Sequence, residues 1–528
     1  MNRRSFLEKS AVAVIASQAR AFGLASEAPA AVNADAPVFQ TADARWQAGY
    51  DHALRVLAGN VQRLPNYKDV VLIEGAVYPG IWQECGPHES LVYRRFRPEV
   101  ARASHMVFFD KQRNDGQLPA NHKRTETGFG QTQMVVPIAA TAWELAAATR
   151  DEEFLHTAYT ACSGWDGWLS QYRNTRATGL VEGFCTYDTG MDNSPRWKGI
   201  PNQCPGKDAK RFPEGYKLPR LCPDLSATVY GGRVALAEMA RALGRPSEAQ
   251  QCQDRAERLR ALILKRLYVP EDAAFYDLDA DDKFVRVDCD ILSRMCGEHV
   301  VEQKLFETLW ARQFSDPKKF WAPYPLPSVA LDDPQFVRPI PRNSWGGATQ
   351  ALTALRTPQW MDHYGRSAEF AHLANQWCEA ILREGDFRQQ MDPVSGVFSH
   401  EDSGGYSPAA LVMVDFTWRL AGIVETPGEV QWNVRPGCAA SNGASFRMRS
   451  DSGAMLDLSY AADGATLRRN GREIARLTGG TARVITDPNG TPTALLGIHA
   501  EAQAVTFQQG RHKRHYTLRA NERVLLKA

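Results

Sequence analysis

Tyr187-Asp188-Thr189-Gly190-Met191-Asp192-Asn193-Ser194-Pro195-Arg196-Trp197 places carboxylates, an amide, a guanidinium and an indole around one turn. That set suits a sugar. A pyranose offers hydroxyls to Asp188, Asn193 and Arg196 and an apolar ring face to Trp197. A carboxyl held against aromatic rings keeps its proton near neutrality and can give it to a leaving oxygen, the role that falls to Asp192. The competing reading is a surface turn over a buried Trp, because Asp-Asn-Ser-Pro makes turns through local side-chain bonds. The length of the motif favours chemistry.

Such residues need elements to hold them. The middle of the chain reads as consecutive helices: an apolar one over 132–149 with Pro137 near its first turns, and another over 225–243 whose Gly231-Gly232 pair permits close contact or a bend. Ser247 is placed to cap the next helix, with Ala256, Leu259, Ile263 and Leu267 on one face. Strand-helix alternation is absent, which argues against a doubly wound sheet or an eight-stranded barrel. After Ile423 the pattern changes to short alternating runs such as 445–448 and 455–460. They are punctuated by Asp463-Gly464, Asn470-Gly471 and Asn489-Gly490, which are hairpin signals. This is a β-sandwich, read as a brace for the helices rather than as a carbohydrate-binding module, since the strands carry no cluster of aromatics.

The stretch from Gly190 to Trp197 resembles the general-acid motif of glycoside hydrolase clan G, which includes family 63 glucosidases, mannosylglycerate hydrolases and, more distantly, trehalases. Asp115-Gly116-Gln117-Leu118-Pro119 is similar to the family's Asp-Gly-Met-Ile-Pro turn, and Gly130-Gln131-Thr132-Gln133 to its Gln-Pro-Pro helix start. Tyr324-Pro325-Leu326-Pro327-Ser328 and Asp392-Pro393-Val394-Ser395-Gly396 follow in the family's order, so the likeness runs from about Tyr78 to Ile423. The resemblance implies an (α/α)6 barrel, placed over 38–425; with the strand pattern after Ile423, the chain reads as mainly α, the barrel followed by a small C-terminal β-sandwich over 426–528. The resemblance also implies an inverting glycosidase with Asp192 as general acid.

Two departures mark the chain. The family's Glu-x-Tyr-x-Pro base motif, aligned on Pro393, places Gln389 where the Glu should stand, and Gln cannot act as a base. Inversion needs a second carboxylate roughly 6.5 to 9.5 Å from the acid. Glu401, in a glycine-containing loop, is the first choice for it; Glu84, in Gly80-Ile81-Trp82-Gln83-Glu84-Cys85, is the second. Asn343-Ser344-Trp345-Gly346-Gly347 stands where many relatives have Tyr-Trp-Arg-Gly-Pro, removing a donor fork for substrate. Trp82, Trp345, Tyr406 and Gln389 join Asp188, Asn193, Arg196 and Trp197 as expected substrate contacts. His88 and Glu89 lie close enough to line the same loop. Two other readings stand beside the hydrolase: a polysaccharide lyase on a helical barrel, which needs a Tyr or His base, and a sugar-binding protein without turnover.

Asn2-Arg3-Arg4-Ser5-Phe6-Leu7-Glu8-Lys9, followed by an apolar run and a small-residue tract, fits a twin-arginine export signal over 1–31. The expectation is a periplasmic product that meets the twin-arginine export machinery. The rival is a basic tail, since Arg20 shortens the apolar run. A formal charge of +2 gives no reason to expect a nucleic-acid partner, and no later stretch is apolar and long enough to call for a membrane. The 10 cysteines form no CxxC pair; Cys204 and Cys222 flank one loop and are read as either bridged or buried thiols. Residues 277–282 lack the Gly and distal Glu of a calcium loop, and the chain has no P-loop or dinucleotide fingerprint. No metal and no cofactor is therefore called for.

Overall fold

The structure, a computed structural model, describes residues 35–338, 340, 343–400 and 403–526; the expected export signal and Glu401 lie outside the described residues. Twelve α-helices occur among them. The first six are α1 (Ala44–Asn60), α2 (Gly86–Tyr93), α3 (Pro98–Asp110), α4 (Ile138–Thr149), α5 (Glu152–Tyr172) and α6 (Pro223–Ala242). The rest are α7 (Pro246–Arg266), α8 (Ile291–Gly297), α9 (Gln303–Leu309), α10 (Ala351–His363), α11 (Ser367–Glu384) and α12 (Ser407–Ala421). The even-numbered helices form a closed ring: α2 packs on α4, α4 on α6, α6 on α8, α8 on α10, α10 on α12, and α12 back on α2. Odd-numbered helices lie against them, α1 on α12, α3 on α2, α5 on α4, α7 on α6 and α11 on α10.

Sequence explains the two layers. α12, apolar nearly all round, is buried on every side save at Arg419, as an inner helix must be. α7 buries only the stripe Ala249, Ala256, Leu259 and Ile263 and turns its charges outward. It begins at Pro246, whose ring presets the helical φ, so the expected Ser247 cap lies inside the helix. Gly231 does serve close contact: a Cβ there would stand 1.9 Å from Glu298 Oε2 and 3.1 Å from Pro137. The helix expected from residue 132 starts only at Ile138, with Pro137 at its cap. The Thr132 N–H donates to the Asp188 carboxylate and the Met134 N–H to the Asp188 carbonyl, which holds the preceding stretch out of helical register.

Besides five small sheets of two to four strands in the segments between the helices, the described residues form two larger antiparallel sheets. Their strands are β1 (Val38–Gln40), β2 (Ile423–Thr426), β3 (Glu429–Val434), β4 (Ser445–Arg449), β5 (Met455–Ala461) and β6 (Gly464–Arg469). They continue with β7 (Arg472–Thr478), β8 (Ala482–Thr486), β9 (Pro492–Leu496), β10 (Gln503–Gln509), β11 (His512–Leu518) and β12 (Arg523–Leu525). One sheet runs β1-β4-β5-β6-β7-β10-β11 and the other β2-β3-β8-β9-β12. Asn470 and Gly471, at φ +51° and +78°, make the two-residue turn that sets Arg469 opposite Arg472. The domain boundary differs from expectation at both ends. Val38–Gln40 pairs with Ser445–Arg447 instead of joining the helices, and residue 425 falls inside β2, a strand begun as soon as α12 ends. β2 and β3 pack against α12, and buried Arg483 donates to Asn433 Oδ1 (2.8 Å) and to Asp362 (3.0 Å), tying the second sheet to α10. Among the described residues no helix is long and apolar enough to cross a membrane.

Candidate active site

Three loops and α2 bring four carboxyl groups together: buried Glu74 and Glu84, buried Glu89 on α2, and half-buried Asp192. Burial raises Asp192 to about 6. Glu84 is raised further, to about 8, by burial first and by the Asp192 charge second. Burial also lifts Glu89 to about 7, and lifts Glu74 well above the ordinary carboxylate range, where Glu89 and Glu84 add to the effect. Each member of the Asp192 and Glu84 pair keeps one oxygen, Oδ1 and Oε2, sealed from solvent and without a hydrogen-bond partner. Both Glu89 oxygens, Arg294 Nη2 and Arg356 Nε are in the same state, so this cluster carries unspent hydrogen-bonding capacity where buried polar atoms are nearly always bonded.

The other oxygen of each carboxylate sits at the end of a row of amides. Asn343 Nδ2 donates to Asp192 Oδ2 (3.0 Å), Gln389 Nε2 donates to Asn343 Oδ1 (2.9 Å), and the Tyr78 hydroxyl donates to Gln389 Oε1 (2.8 Å). On the facing side Gln133 Nε2 donates to Glu84 Oε1 (3.3 Å), Gln131 Nε2 to Gln133 Oε1 (2.9 Å), and Gln203 Nε2 to Gln131 Oε1 (2.9 Å). Gln133, Asn193 and Asn343 all lie in the left-handed region, at φ +49°, +58° and +44°. Non-glycine residues rarely stay there unless their surroundings force them. Gly190, at φ +62°, is needed for a different reason: a Cβ would stand 1.7 Å from Glu84 Oε2.

Of the expected site residues, Asp192, Glu84, Asn193, Trp82 and Gln389 converge here. Half-buried Trp82 meets Tyr78 edge to face at 5.7 Å, and exposed Asn193 donates to the Asn343 carbonyl at 2.8 Å. Five others are corrected by the structure. Asp188 is fully buried in a bidentate pair with Arg173 and also accepts from Thr132 and Phe184; burial would raise it, but Arg173 and these donors hold it below its ordinary value. Arg196 is held by Asp224 and Asp277, at 2.7 and 2.6 Å. Trp197, 2% exposed, gives its indole N–H to Thr189 Oγ1 and is core. Trp345 lies equally deep beneath the Arg294 guanidinium, although its backbone N–H donates to the Asp192 carbonyl (3.0 Å). Tyr406 is fully buried and donates to Glu74 Oε1 (2.7 Å), so it holds a carboxyl instead of a sugar.

Half-buried His88 is driven down to about 3, chiefly by desolvation, so it is neutral. Cys204 stands beside Cys185, Sγ to Sγ 3.7 Å, while the Cys222 thiol donates to the Arg220 carbonyl; the 204–222 bridge is absent and both thiols are free. Cys185, Asp188 and Cys204 form one metal-sized cluster and Cys222, Asp224 and Asp277 another, but their carboxylates are committed to Arg173 and Arg196. Sequence reasoning missed Glu74. Its signal was an acid at the end of the apolar run 70–73, leading into a glycine turn.

Paired buried carboxyls at the loop end of a helical ring are the equipment of glycoside cleavage. Residues 78–418 match the mannosylglycerate hydrolase MGH1-like glycoside hydrolase domain. Similar folds include the family 63 mannosylglycerate hydrolase of Thermus thermophilus, solved in complex with Tris, at 20% identity, TM-score 0.57, and coverage of 70% of this chain and 99% of that one. A sialidase structure matches at 16% identity and TM-score 0.64 over 85% of this chain and 41% of its own. Neutral trehalase from Saccharomyces cerevisiae matches at 12% identity and TM-score 0.52 over 66% and 73%. The chain belongs to the MGH1-like glycoside hydrolase family and is a glycosidase.

The burial of Arg196 makes a sharp prediction. Arg196→Ala strands Asp277 in the core and leaves Asp224 with Arg294 alone, which should cost about 3–5 kcal/mol. The variant should melt well below wild type with the KM of its folded fraction unchanged; a raised KM at unchanged stability would return Arg196 to the substrate.

Proposed function

We propose that the protein is an exported, inverting glycosidase, with the helical ring as an (α/α)6 barrel, the two sheets as a bracing β-sandwich, Asp192 as general acid and Glu84 as general base. The observation that carries this reading is the Asp192 and Glu84 pair, each with one unbonded oxygen sealed from water. Asp192 protonates the glycosidic oxygen while Glu84 takes a proton from the water that attacks the anomeric carbon on the opposite face. Glu401, the first choice from sequence, lies outside the described residues, so we assign the base to the second choice, Glu84, whose carboxyl is raised in part by the Asp192 charge. The substrate is a neutral glycoside. The Thermus relative has been solved with glucose and with D-glycerate, but the Arg absent from 343–347 leaves this chain without that donor for a carboxylate aglycone. Arg294 and Arg356, which face Glu84, are partly tied within the protein, Arg294 to Asp290, Asp224 and the Thr189 carbonyl and Arg356 to the Glu84 carbonyl, while Arg294 Nη2 and Arg356 Nε stay unbonded.

The pair sets the pH dependence. Below about 6 both groups are protonated and above about 8 both are ionised; in between the pair holds one proton, mostly on Glu84, and the productive arrangement with that proton on Asp192 is a minor form whose fraction peaks over the same interval. kcat/KM should therefore peak between those values, measured on the fastest of a panel of 4-nitrophenyl glycosides. Asp192→Asn should abolish cleavage of alkyl glycosides while costing activated aryl glycosides far less, because a good leaving group needs no proton. Equal, small losses on both would remove Asp192 from the acid role.

Export rests on Arg3 and Arg4. Replacing both by Lys should leave precursor in the cytoplasm of a fractionated cell, and an unchanged periplasmic yield would refute the signal.

A further inference from the structure

The polarity of the amide row on Asp192 is not free to choose. Asp192 Oδ2 accepts when the carboxyl is ionised and equally when its proton sits on the unbonded Oδ1, so Asn343 turns its NH2 to Asp192 and its oxygen away. That oxygen needs a donor, which Gln389 Nε2 supplies at 2.9 Å, and the Gln389 oxygen is left to accept from Tyr78 at 2.8 Å. A glutamate side chain at this position would offer two acceptor oxygens. Ionised, it would meet Asn343 Oδ1 acceptor to acceptor, and if Asn343 turned over to satisfy it, Asp192 would lose its donor. A base at position 389 and an amide-held acid at position 192 exclude one another in this geometry.

We propose that Gln389, with Tyr78 behind it, is a positioning residue for Asp192 that acts through Asn343, so that the amide at position 389 is required for turnover and is not a base position gone silent. The inference rests on Asp192 being the acid. The facing row Gln203, Gln131, Gln133 supports it, because Glu84 ends a second series of three amides with the same direction of donation. Two carboxylates of one pair, each gripped on one oxygen by a polarised amide row and unbonded on the other, are held alike.

The test is Gln389→Glu, assayed across pH on the 4-nitrophenyl glycoside that wild type cleaves fastest, with folding checked by thermal melting. Groups that face position 389 include the Tyr78 hydroxyl, the Asn343 amide and, beyond it, Asp192. kcat should fall at least tenfold with KM within about twofold. The deficit should shrink toward acid pH, where the introduced carboxyl is protonated and again donates to Asn343; a purely structural defect would not follow pH in this way. Tyr78→Phe, which removes only the first donor, should lose about threefold. A crystal structure of Gln389→Glu at pH 8 should show Asn343 Nδ2 withdrawn beyond hydrogen-bond reach of Asp192 Oδ2, a readout independent of any assay. The inference is overturned if Gln389→Glu matches or exceeds wild type near pH 7, or if Asn343 still holds Asp192 in that crystal. Failure of the acid assignment looks different: Asp192→Asn itself would then remain active on alkyl glycosides.

Discussion

A carboxyl group taken out of water and gripped by a single amide is the constraint on which this site depends. Asp192 and Glu84 each receive one such donor, Asn343 and Gln133, and each leaves its second oxygen bare. Because an amide must accept on one side in order to donate on the other with its bonds satisfied, each donor requires another behind it. The rows reach back to Tyr78 and to Gln203, and the loops that carry them must keep their shape for the two bare oxygens to stay in place.

That shape is secured by groups that touch no sugar. Arg173 and Asp188 clamp the start of the acid loop, and Arg196, lodged between Asp224 and Asp277, clamps its end to α6 and to a strand over 277–278. Such buried ion pairs add little net stability relative to apolar packing, yet breaking one is costly, which makes them suited to fixing a loop in one conformation. The carboxyl cluster works the other way. Glu84 is raised from its ordinary 4.5 to about 8 in the fold, chiefly by burial. Over that interval the folded protein binds more protons than the unfolded chain, so the stability this group contributes is complete below 4.5 and is lost as pH rises through 8. The site is bought with stability at alkaline pH.

Much of this was legible in the sequence. The hairpin turn at Asn470-Gly471, the amphipathic stripe of α7 and the close approach at Gly231 follow from local chemistry, and each stands where it was expected. The acid-loop motif was legible as a unit but not residue by residue. Asp188, Arg196 and Trp197 look like sugar ligands because polar and aromatic side chains serve either purpose; what decides is a partner such as Asp224 or Asp277, 28 and 81 residues away from Arg196. The same holds at position 389. A Gln in place of a Glu reads as a loss until Asn343 and Tyr78, 46 and 311 positions distant, are set beside it.

The central claim is that Glu84 is the base opposing Asp192, and the product formed by Glu84→Ala in the presence of azide tests it most directly. With an activated glycosyl donor, loss of the base should cost at least a few hundredfold, and azide should restore turnover by attacking the anomeric carbon in place of activated water, giving a glycosyl azide of inverted configuration. A Glu84→Ala enzyme that turns over normally, or an azide product of retained configuration, would contradict the account.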